Sequence, residues 1–464
     1  MKVCVFVAIF SVLLAAAASA QTLTGEPELL VARGEVIDGR VVGRVRQGGV
    51  DVDGNVASQP DEDGIGTLLV VTTNGVSSVI ASTGDTAPGG GLIESINDHT
   101  EREGDLVLYL AGSIDDDVEN FSGESALLLR DLNESDPEVI IRTNSTLLPG
   151  RDVPFTDLRA SVGFSMASVR IALVGSYSDG NIIDGVFIEG VYLWENGVLS
   201  TLVDTEDAFG GLPFVFFNDA KPDKNGPGIL FWAERRDGGD RVESVFLYEN
   251  GNLLELISSG QPFPGSVSTI DSIGTPDIDG GRVVARLQGS GGEEGVFIID
   301  TQGSTTLVAD LTTPLPDTPT NSGPATSFED QVGIAGSLVF FRAERAVNEP
   351  EVHLWRDGII ESAVLAGDQL DGRTVIGDTS DIERHSLSRN FLTIVLEFSE
   401  GPDALYRIPL FQSDVEPPPV GPPPGGSAIQ PVPLPWAGTV LGLMLLLLGG
   451  HALRQKRQAA VSNG

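Results

Sequence analysis

Oxygen-bearing side chains near residue 50 follow the spacing of a calcium-binding loop. Counted from the first aspartate, they fall at positions 1, 3, 5 and 12, which are ligand positions in such loops. These residues are Asp51, Asp53, Asn55 and Glu62. Val56 stands at position 6, where the sharp turn requires glycine, and no flanking helix pattern is present. Two interpretations stay open, a weak calcium site and an ordinary β-turn of a repeat.

Other residues with catalytic or metal-binding chemistry are sparse. The acidic run Asp115–Asp117 with Glu119 is typical of a solvated loop, with weak calcium binding as the alternative. Gly163–Ala167 resembles the Gly-x-Ser-x-Gly nucleophile elbow, but it lacks the strand–turn–helix setting of that motif, so we interpret it as a core strand. We predict no catalytic residue and no cofactor apart from the weak calcium candidate. The histidines also lack metal-ligand spacing; they are His99, His353, His385 and His451.

The composition excludes several classes of function. Asp and Glu number 66 against 28 Lys and Arg, for a formal net charge of −38. Such a field repels phosphate backbones and excludes nucleic-acid binding, and the simplest interpretation of the acidity is a solvated surface. The single cysteine, Cys4, precedes the expected signal cleavage site. The mature chain would therefore have no thiol for a disulfide, a cysteine nucleophile or a thiolate metal site.

The first 20 residues have the order of a secretory signal peptide. Lys2 supplies the positive start, Val5–Leu14 is a short apolar run, and Ala18–Ala20 gives the small-x-small pattern of a cleavage site. The apolar run is too short to span about 30 Å of hydrocarbon. We predict a signal helix over residues 1–20, cleavage after Ala20 by signal peptidase, and export of the chain that follows.

The C-terminal end has three parts. Residues 413–431 form a Pro/Gly-rich linker with no apolar face to bury. The apolar stretch Ala437–Leu453 follows, with Trp436 where an interfacial aromatic is expected. Basic residues from Arg454 to Arg457 close the stretch and predict a cytoplasmic C-terminal end. These features predict a single-pass transmembrane helix within residues 432–458.

At these residues the tail resembles the C-terminal sorting signals of Gram-negative bacteria known as the PEP-CTERM class. In that class a short proline-containing motif precedes a hydrophobic helix and an Arg-rich end. Val432–Trp436 reads Val-Pro-Leu-Pro-Trp where the type motif has Val-Pro-Glu-Pro. The resemblance, which covers Pro431–Arg457, implies processing by an exosortase-like protease and delivery to the cell surface or matrix. A plain single-pass membrane anchor is the alternative, and both place the intervening domain outside the cytoplasm.

Between the two ends, residues 25–412 are repetitive. A Gly-Asp-x-x-Pro-Gly-like turn recurs seven times, at intervals of 50, 60, 62, 54, 50 and 57 residues. The copies begin at Gly34, Gly84, Asn144, Glu206, Gly260, Asp310 and Gly367. Hairpin signals with the same spacing lie between apolar strands, and their Asn-Gly-like pairs suit two positive φ angles. They are Asn74-Gly75, Asn196-Gly197, Asn250-Gly251, Gln302-Gly303 and Asp357-Gly358.

Each unit of about 55 residues therefore holds three or four short antiparallel strands, which cannot bury both faces alone. This pattern predicts an all-β fold, a β-propeller of seven blades. We expect Leu29–Ala32 to pair beside the strand Ala404–Ile408 and so to close the ring, which removes two exposed edges. The repeats resemble those of secreted bacterial proteins with Gly-Asp-x-x-Pro-Gly units and sorting tails. That resemblance implies an architecture and a location but no reaction.

Three functions are compatible with this pattern. The leading hypothesis is a surface-anchored or matrix-associated binding or structural module without chemistry of its own, whose ligand is an extracellular polysaccharide or protein. The enzyme alternative is a secreted polysaccharide hydrolase or lyase with paired carboxylates in the propeller funnel. A calcium-dependent adhesion protein is the third. Two carboxylates converging with an Arg or His in a deep pocket would favour the enzyme.

Overall fold

A computed structural model describes most of the repeat region. The described residues are 24–46, 48–62, 66–88, 90–96, 100–114, 124–165, 169–179, 186–317, 322–345, 350–364, 367–378 and 386–410. The chain divides into two units, Met1–Ser413 and Asp414–Gly464. Within the described ranges, no helix is long and apolar enough to cross a membrane. The predicted signal helix, linker and transmembrane helix lie outside those ranges.

The described fold is built from β-strands alone. In chain order they are β1 (Glu28–Ala32), β2 (Val36–Ile37), β3 (Arg40–Val41), β4 (Gly48–Val50), β5 (Val56–Ser58), β6 (Asp61–Glu62), β7 (Gly66–Thr73), β8 (Val76–Ser82), β9 (Leu92–Ile96), β10 (Glu101–Glu103), β11 (Leu106–Ile114), β12 (Glu124–Asp131), β13 (Glu138–Arg142), β14 (Asp157–Ser165), β15 (Arg170–Ser178), β16 (Phe187–Glu195), β17 (Val198–Asp204), β18 (Ala208–Phe209), β19 (Leu212–Pro222), β20 (Ile229–Asp237), β21 (Asp240–Glu249), β22 (Asn252–Ser258), β23 (Ile270–Ile273), β24 (Asp277–Asp279), β25 (Arg282–Gly289), β26 (Glu294–Ile299), β27 (Thr305–Asp310), β28 (Ser327–Ala335), β29 (Leu338–Glu344), β30 (Pro350–Arg356), β31 (Ile359–Ser362), β32 (Gln369–Leu370), β33 (Arg373–Asp378), β34 (Phe391–Phe398) and β35 (Ala404–Pro409).

These strands form seven antiparallel blades, which confirms the predicted seven-bladed propeller. Blades 1 to 6 are β4–β8, β9–β13, β14–β17, β18–β22, β23–β27 and β28–β31, and blade 7 joins β32–β35 to β1. Each blade has four strand positions, called A to D here from the innermost outward. The A position is divided into two short strands in blades 2 and 5. The separate β2–β3 hairpin connects β1 to blade 1.

The ring closes as the sequence predicted. β1 is the D strand of blade 7 and pairs antiparallel with β35, with Leu29 opposite Tyr406 and Ala32 opposite Ala404. A bridge between Thr24 and Leu410 extends this pairing. The first and last described segments therefore pair with each other in one sheet, and this pairing covers the edge that each would otherwise expose.

The hydrophobic core is divided among the contacts between blades. Seven clusters of buried side chains occur in the described residues, and each spans two neighbouring blades. For example, Phe214 and Phe231 of blade 4 pack with Ala172 and Val191 of blade 3. Because both faces of a blade are covered in this way, its inner strands are apolar on both sides instead of alternating.

The connections alternate between the two ends of the ring. Successive strands are antiparallel, so the D-to-A and B-to-C connections lie at one end and the A-to-B and C-to-D connections at the other. The Gly-Asp turns are D-to-A connections, and we call their end the turn face. The Asn-Gly turns are C-to-D connections, and we call the opposite end the hairpin face. The paired residues Thr24 and Leu410 also lie at the hairpin face.

Backbone geometry explains both sequence landmarks. In the Gly-Asp turns, Asp85 accepts a hydrogen bond from the backbone N–H of Ser82 at 2.8 Å, and its own N–H donates to the Ser82 carbonyl at 3.1 Å. Asp207 and Asp204 make the same pair of contacts. In the hairpin turns, Asn196 and Gly197 have φ of 52° and 78°, as the Asn-Gly signal predicts.

Candidate functional site

Several buried charges lie at the hairpin face, in the A-to-B turns that surround the central channel. Asp223 follows the A strand of blade 4 and is 1% exposed. Its carboxylate accepts backbone N–H groups of Asn225 at 2.9 Å, Gly280 at 2.8 Å and Gly281 at 2.7 Å. The two glycines belong to the A-to-B turn of blade 5. Burial raises the pKa of Asp223, although these hydrogen bonds oppose the shift.

Asp279 repeats this arrangement one blade further on. It is 2% exposed and accepts the backbone N–H of Gly336, in the A-to-B turn of blade 6. Its other oxygen accepts the side-chain amide of Asn225. The guanidinium Nε of Arg389, from the corresponding turn of blade 7, lies 3.6 Å from the Asp279 carboxylate. One carboxylate therefore connects four consecutive blades.

An ion pair extends the cluster to blade 2. The ammonium group of Lys224 lies 3.8 Å from an Oε atom of Glu103, and these side chains are 29% and 15% exposed. Burial raises the pKa of Glu103, Lys224 lowers it, and the negative charges of Glu101, Asp51 and Asp279 raise it further. Glu101 lies on the same strand as Glu103, whereas Asp51 and Asp279 belong to blades 1 and 5, which also reach this part of the channel.

The turn Asp223–Gly228, which carries Lys224 and Asn225, is held from the other side by blade 3. Arg170 donates hydrogen bonds to the backbone carbonyls of Asp223 at 3.1 Å and Pro227 at 2.7 Å, and also to that of Gly226. The hydroxyl of Ser165 donates to the Lys224 carbonyl at 3.4 Å. The turn is therefore fixed on both sides by neighbouring blades.

Three further buried charged residues lie along the A strands. Lys221 is 2% exposed; its ammonium group lies 2.6 Å from a carboxylate oxygen of Asp219 and donates to the Pro276 carbonyl at 2.6 Å. Asp277 accepts the backbone N–H of Ile334 in blade 6 at 2.9 Å. These contacts also join one blade to the next.

The carboxylates of this cluster are suited to accepting hydrogen bonds from the backbone of other blades rather than to catalysis. Asp223, Asp277 and Asp279 each use carboxylate oxygens to accept N–H groups of another blade. In the described part of the chain, no group of three or more His, Cys, Asp or Glu side chains could hold a metal ion. Burial and like charge raise the pKa of Glu103, Asp223 and Glu243, as in a general acid. Asp223 and Glu243 accept a backbone N–H of another blade, whereas Glu103 lies in an ion pair with Lys224.

The structure separates the residues of the calcium-loop candidate. Asp51 is buried in the A-to-B turn of blade 1, where it accepts the N–H groups of Asp53 at 2.9 Å and Asn55 at 2.8 Å. Glu62 lies after strand B, toward the turn face, and accepts a hydrogen bond from Arg40 at 2.7 Å. The strand β5 stands between them, so Asp51–Asn55 forms a hairpin turn and Glu62 belongs to a separate ion pair.

The other sequence candidates have structural settings or lie outside the described residues. Ser165 is the buried last residue of β14, an inner strand, as the core-strand interpretation predicts. His353 is fully buried on β30, with Nδ1 3.2 Å from the Ser362 hydroxyl and Nε2 3.4 Å from Glu351. Burial lowers its pKa, which Glu351 opposes. The other three histidines and Asp115–Glu119 lie outside the described residues.

A third set of blade-joining carboxylates was missed by sequence reasoning. At the start of the C strands, Glu189 accepts the N–H of Phe217 at 2.7 Å, and Glu294 accepts that of Phe328 at 2.6 Å. Glu243 accepts the N–H of Ile273 at 3.1 Å. A signal was present, because glutamate precedes a small residue and valine at all three places. Their spacing matches that of the repeats, whereas the overall acidity suggested only a solvated surface.

No protein-family model and no curated protein matches this chain. Among solved structures, it is similar to the β-propeller domain of the Trilobed protease from Pyrococcus furiosus, with 11% identity, a TM-score of 0.45, and coverage of 81% of this chain and 100% of that one. It is also similar to an uncharacterized protein from Listeria monocytogenes, with 9% identity, a TM-score of 0.41, and coverage of 79% and 92%. A sialidase from Trypanosoma rangeli has 12% identity and a TM-score of 0.33, and the match covers 83% of this chain and 58% of that one. These likenesses concern the fold alone.

Proposed function

We propose that this chain is an exported β-propeller that serves as a binding or structural module at the cell surface or in the matrix. The observation that supports the proposal is that its buried carboxylates accept backbone hydrogen bonds from neighbouring blades. Asp223, Asp279 and Glu294 are 1%, 2% and 8% exposed, and each accepts a backbone N–H of the next blade. Carboxylates committed in this way hold a scaffold in register, and no reaction is required to explain them.

The course of the chain supports a binding role for the turn face. Thr24 and Leu410 are paired at the hairpin face, so the chain enters and leaves the ring there. The D-to-A and B-to-C loops of the turn face lie at the opposite end of the ring from Thr24 and Leu410. Loops on a rigid scaffold can vary without disturbing the core, which suits them to recognition.

The ligand class follows from the proposed location. An extracellular polysaccharide or a protein of the envelope is the partner that such a module would meet. The strong negative charge of the chain favours a neutral or cationic partner, since an anionic polymer would be repelled.

Co-sedimentation with purified neutral envelope polysaccharide tests the proposal. We expect the full chain to sediment with the insoluble polymer, and we expect no release of reducing ends or unsaturated sugars. The matched enzyme test is Glu103→Gln, which removes a carboxyl group of raised pKa at the channel mouth. Sugar release that is lost in this variant would overturn the binding-module proposal in favour of the hydrolase or lyase alternative.

A further inference from the structure

Two ion pairs at the hairpin face each skip a blade. Lys224 of blade 4 meets Glu103 of blade 2, although blade 3 stands between them in the ring. Arg389 of blade 7 meets Asp279 of blade 5, although blade 6 stands between them. A contact around the circumference would reach only the adjacent blade. Both pairs therefore lie across the mouth of the channel.

The two pairs are connected to each other. Asn225, next to Lys224 in the same turn, donates its side-chain amide to Asp279. Contacts thus run without interruption from blade 2 through blades 4 and 5 to blade 7. The turn Asp223–Gly228 carries the middle of this series, and Arg170 and Gly280 hold it to blades 3 and 5.

We propose that this turn and the side chains of Glu103, Lys224, Asn225, Asp279 and Arg389 form a strap that closes the channel at the hairpin face. The channel then opens only toward the turn face, where a ligand enters and from which it leaves. A polymer chain can lie on the turn face, but it cannot thread through the ring. This inference deepens the proposed function, because it assigns the ligand mouth, but its test needs no ligand.

The two ion pairs are the parts of the strap that salt can weaken. Lys224 and Glu103 lie 3.8 Å apart with side chains 29% and 15% exposed, and Arg389, 3.6 Å from the buried Asp279, is 46% exposed. Asp279 and Asn225, in contrast, are joined directly by a hydrogen bond. A partly exposed ion pair is screened by salt, so the strap should loosen at both ion pairs as ionic strength rises.

The single cysteine of the sequence makes a labelling test clean. In the full chain, Cys4→Ser removes that thiol and Ser165→Cys places a reporter under the strap, where Ser165 is fully buried against Lys224. Ser135→Cys is the exposed reference on the same face. We expect maleimide to label position 165 much more slowly than position 135. Lys224→Ala keeps the backbone carbonyl that Ser165 contacts and removes only the side chain of the strap, so it should raise the rate at position 165 several-fold and leave the rate at position 135 unchanged. An unchanged rate at position 165 would overturn the proposal, because burial in the strand alone would then account for the protection.

Two controls separate the strap from general destabilisation. Arg241→Ala removes an exposed ion pair with Glu234, at 2.7 Å, and should leave the labelling rate at position 165 unchanged. If Lys224→Ala fails to fold, Glu103→Gln keeps the shape of the side chain and removes its charge. Raising salt from about 0.05 M to about 0.5 M should accelerate labelling in the parent chain more than in Glu103→Gln, which keeps only the Arg389–Asp279 ion pair. The same salt response in both chains would show that the ion pair between Lys224 and Glu103 does not hold the strap.

Discussion

Aspartates of the Gly-Asp turns hydrogen-bond within their own turn, whereas Asp223 and Asp279 in the A-to-B turns at the opposite face hydrogen-bond to the next blade. Asp85 and Asp207 accept N–H groups only three residues away in sequence. Asp223 accepts those of Gly280 and Gly281, 57 and 58 residues away. Aspartate therefore fixes local geometry in the first set of turns and the contact between blades in the second.

The carboxyl groups that join blades also differ in pKa from one that caps its own turn. Burial raises the pKa of Asp223 at the hairpin face and that of Glu243, which accepts a backbone N–H of the next blade at the turn face. Burial also acts on Asp310 in its Gly-Asp turn, but the hydrogen bonds from Thr312 and Thr313 outweigh it and lower the pKa.

We expect the largest loss of stability for a substitution in β1, the strand that closes the ring. Val31 on β1 is fully buried in the cluster between blades 7 and 1, and Val36, five residues later, is 62% exposed in the first Gly-Asp turn. Val31→Asp buries a charge without a partner and should lower the free energy of unfolding by about 4 kcal/mol or abolish folding. Val36→Asp should change it by less than about 0.5 kcal/mol. Urea unfolding of the two variants measures both values.

Similar losses in the two variants would show that the first Gly-Asp turn contributes as much as the β1–β35 pairing. If Val31→Asp folds with the stability of the parent chain, ring closure by β1 is dispensable. Either result would break the distinction between local and inter-blade contacts.

The next largest effect compares the aspartates themselves. Asp223→Ala removes the acceptor of three partly buried hydrogen bonds and should cost about 3 kcal/mol, the sum of three lost bonds to a carboxylate less the relief of a buried charge. Asp207→Ala, the matched control, removes one acceptor from an exposed turn and should cost about 1 kcal/mol. Urea unfolding again measures the difference. Equal costs would mean that the inter-blade bonds add nothing beyond local capping.

The same contrast explains what could be predicted from the sequence. The Gly-Asp and Asn-Gly turns are short-range patterns, so their spacing gave the seven blades, and the unpaired segments at the two ends gave the pairing of Leu29–Ala32 with Ala404–Ile408. One hairpin differs in detail, because Gly303 has positive φ but Gln302 does not, and Asp300 stabilises that turn through its side chain.

The candidate site was less predictable than the fold. The contacts of Asp223, Asp279 and Glu103 join residues of different blades, and no spacing along the chain specifies which acids converge at the channel mouth.

The smallest predicted effect concerns pH. Glu103 has a raised pKa when folded, so the folded state holds its proton more tightly than the unfolded chain. Its contribution to stability therefore increases as pH falls from 7 toward the ordinary glutamate value of about 4.3, and is lost as pH rises. Asp310 has a lowered pKa when folded, so its contribution is present above about pH 3.9 and is lost as pH falls below that value.

Substituting Glu103 or Asp310 should therefore reduce the pH dependence of the unfolding free energy, each in a different pH range. Glu103→Gln should reduce the gain in unfolding free energy between pH 7 and pH 5, and Asp310→Asn should reduce the loss below pH 4, while each leaves the other window unchanged. Since one proton corresponds to at most about 1.4 kcal/mol per pH unit, and both groups are partly solvated, the changes should be a fraction of that slope. Urea unfolding at half-unit pH intervals measures them against the parent chain. If the two variants alter the same window, the carboxyl groups of the two faces do not titrate in opposite directions, and the electrostatic half of the comparison is wrong.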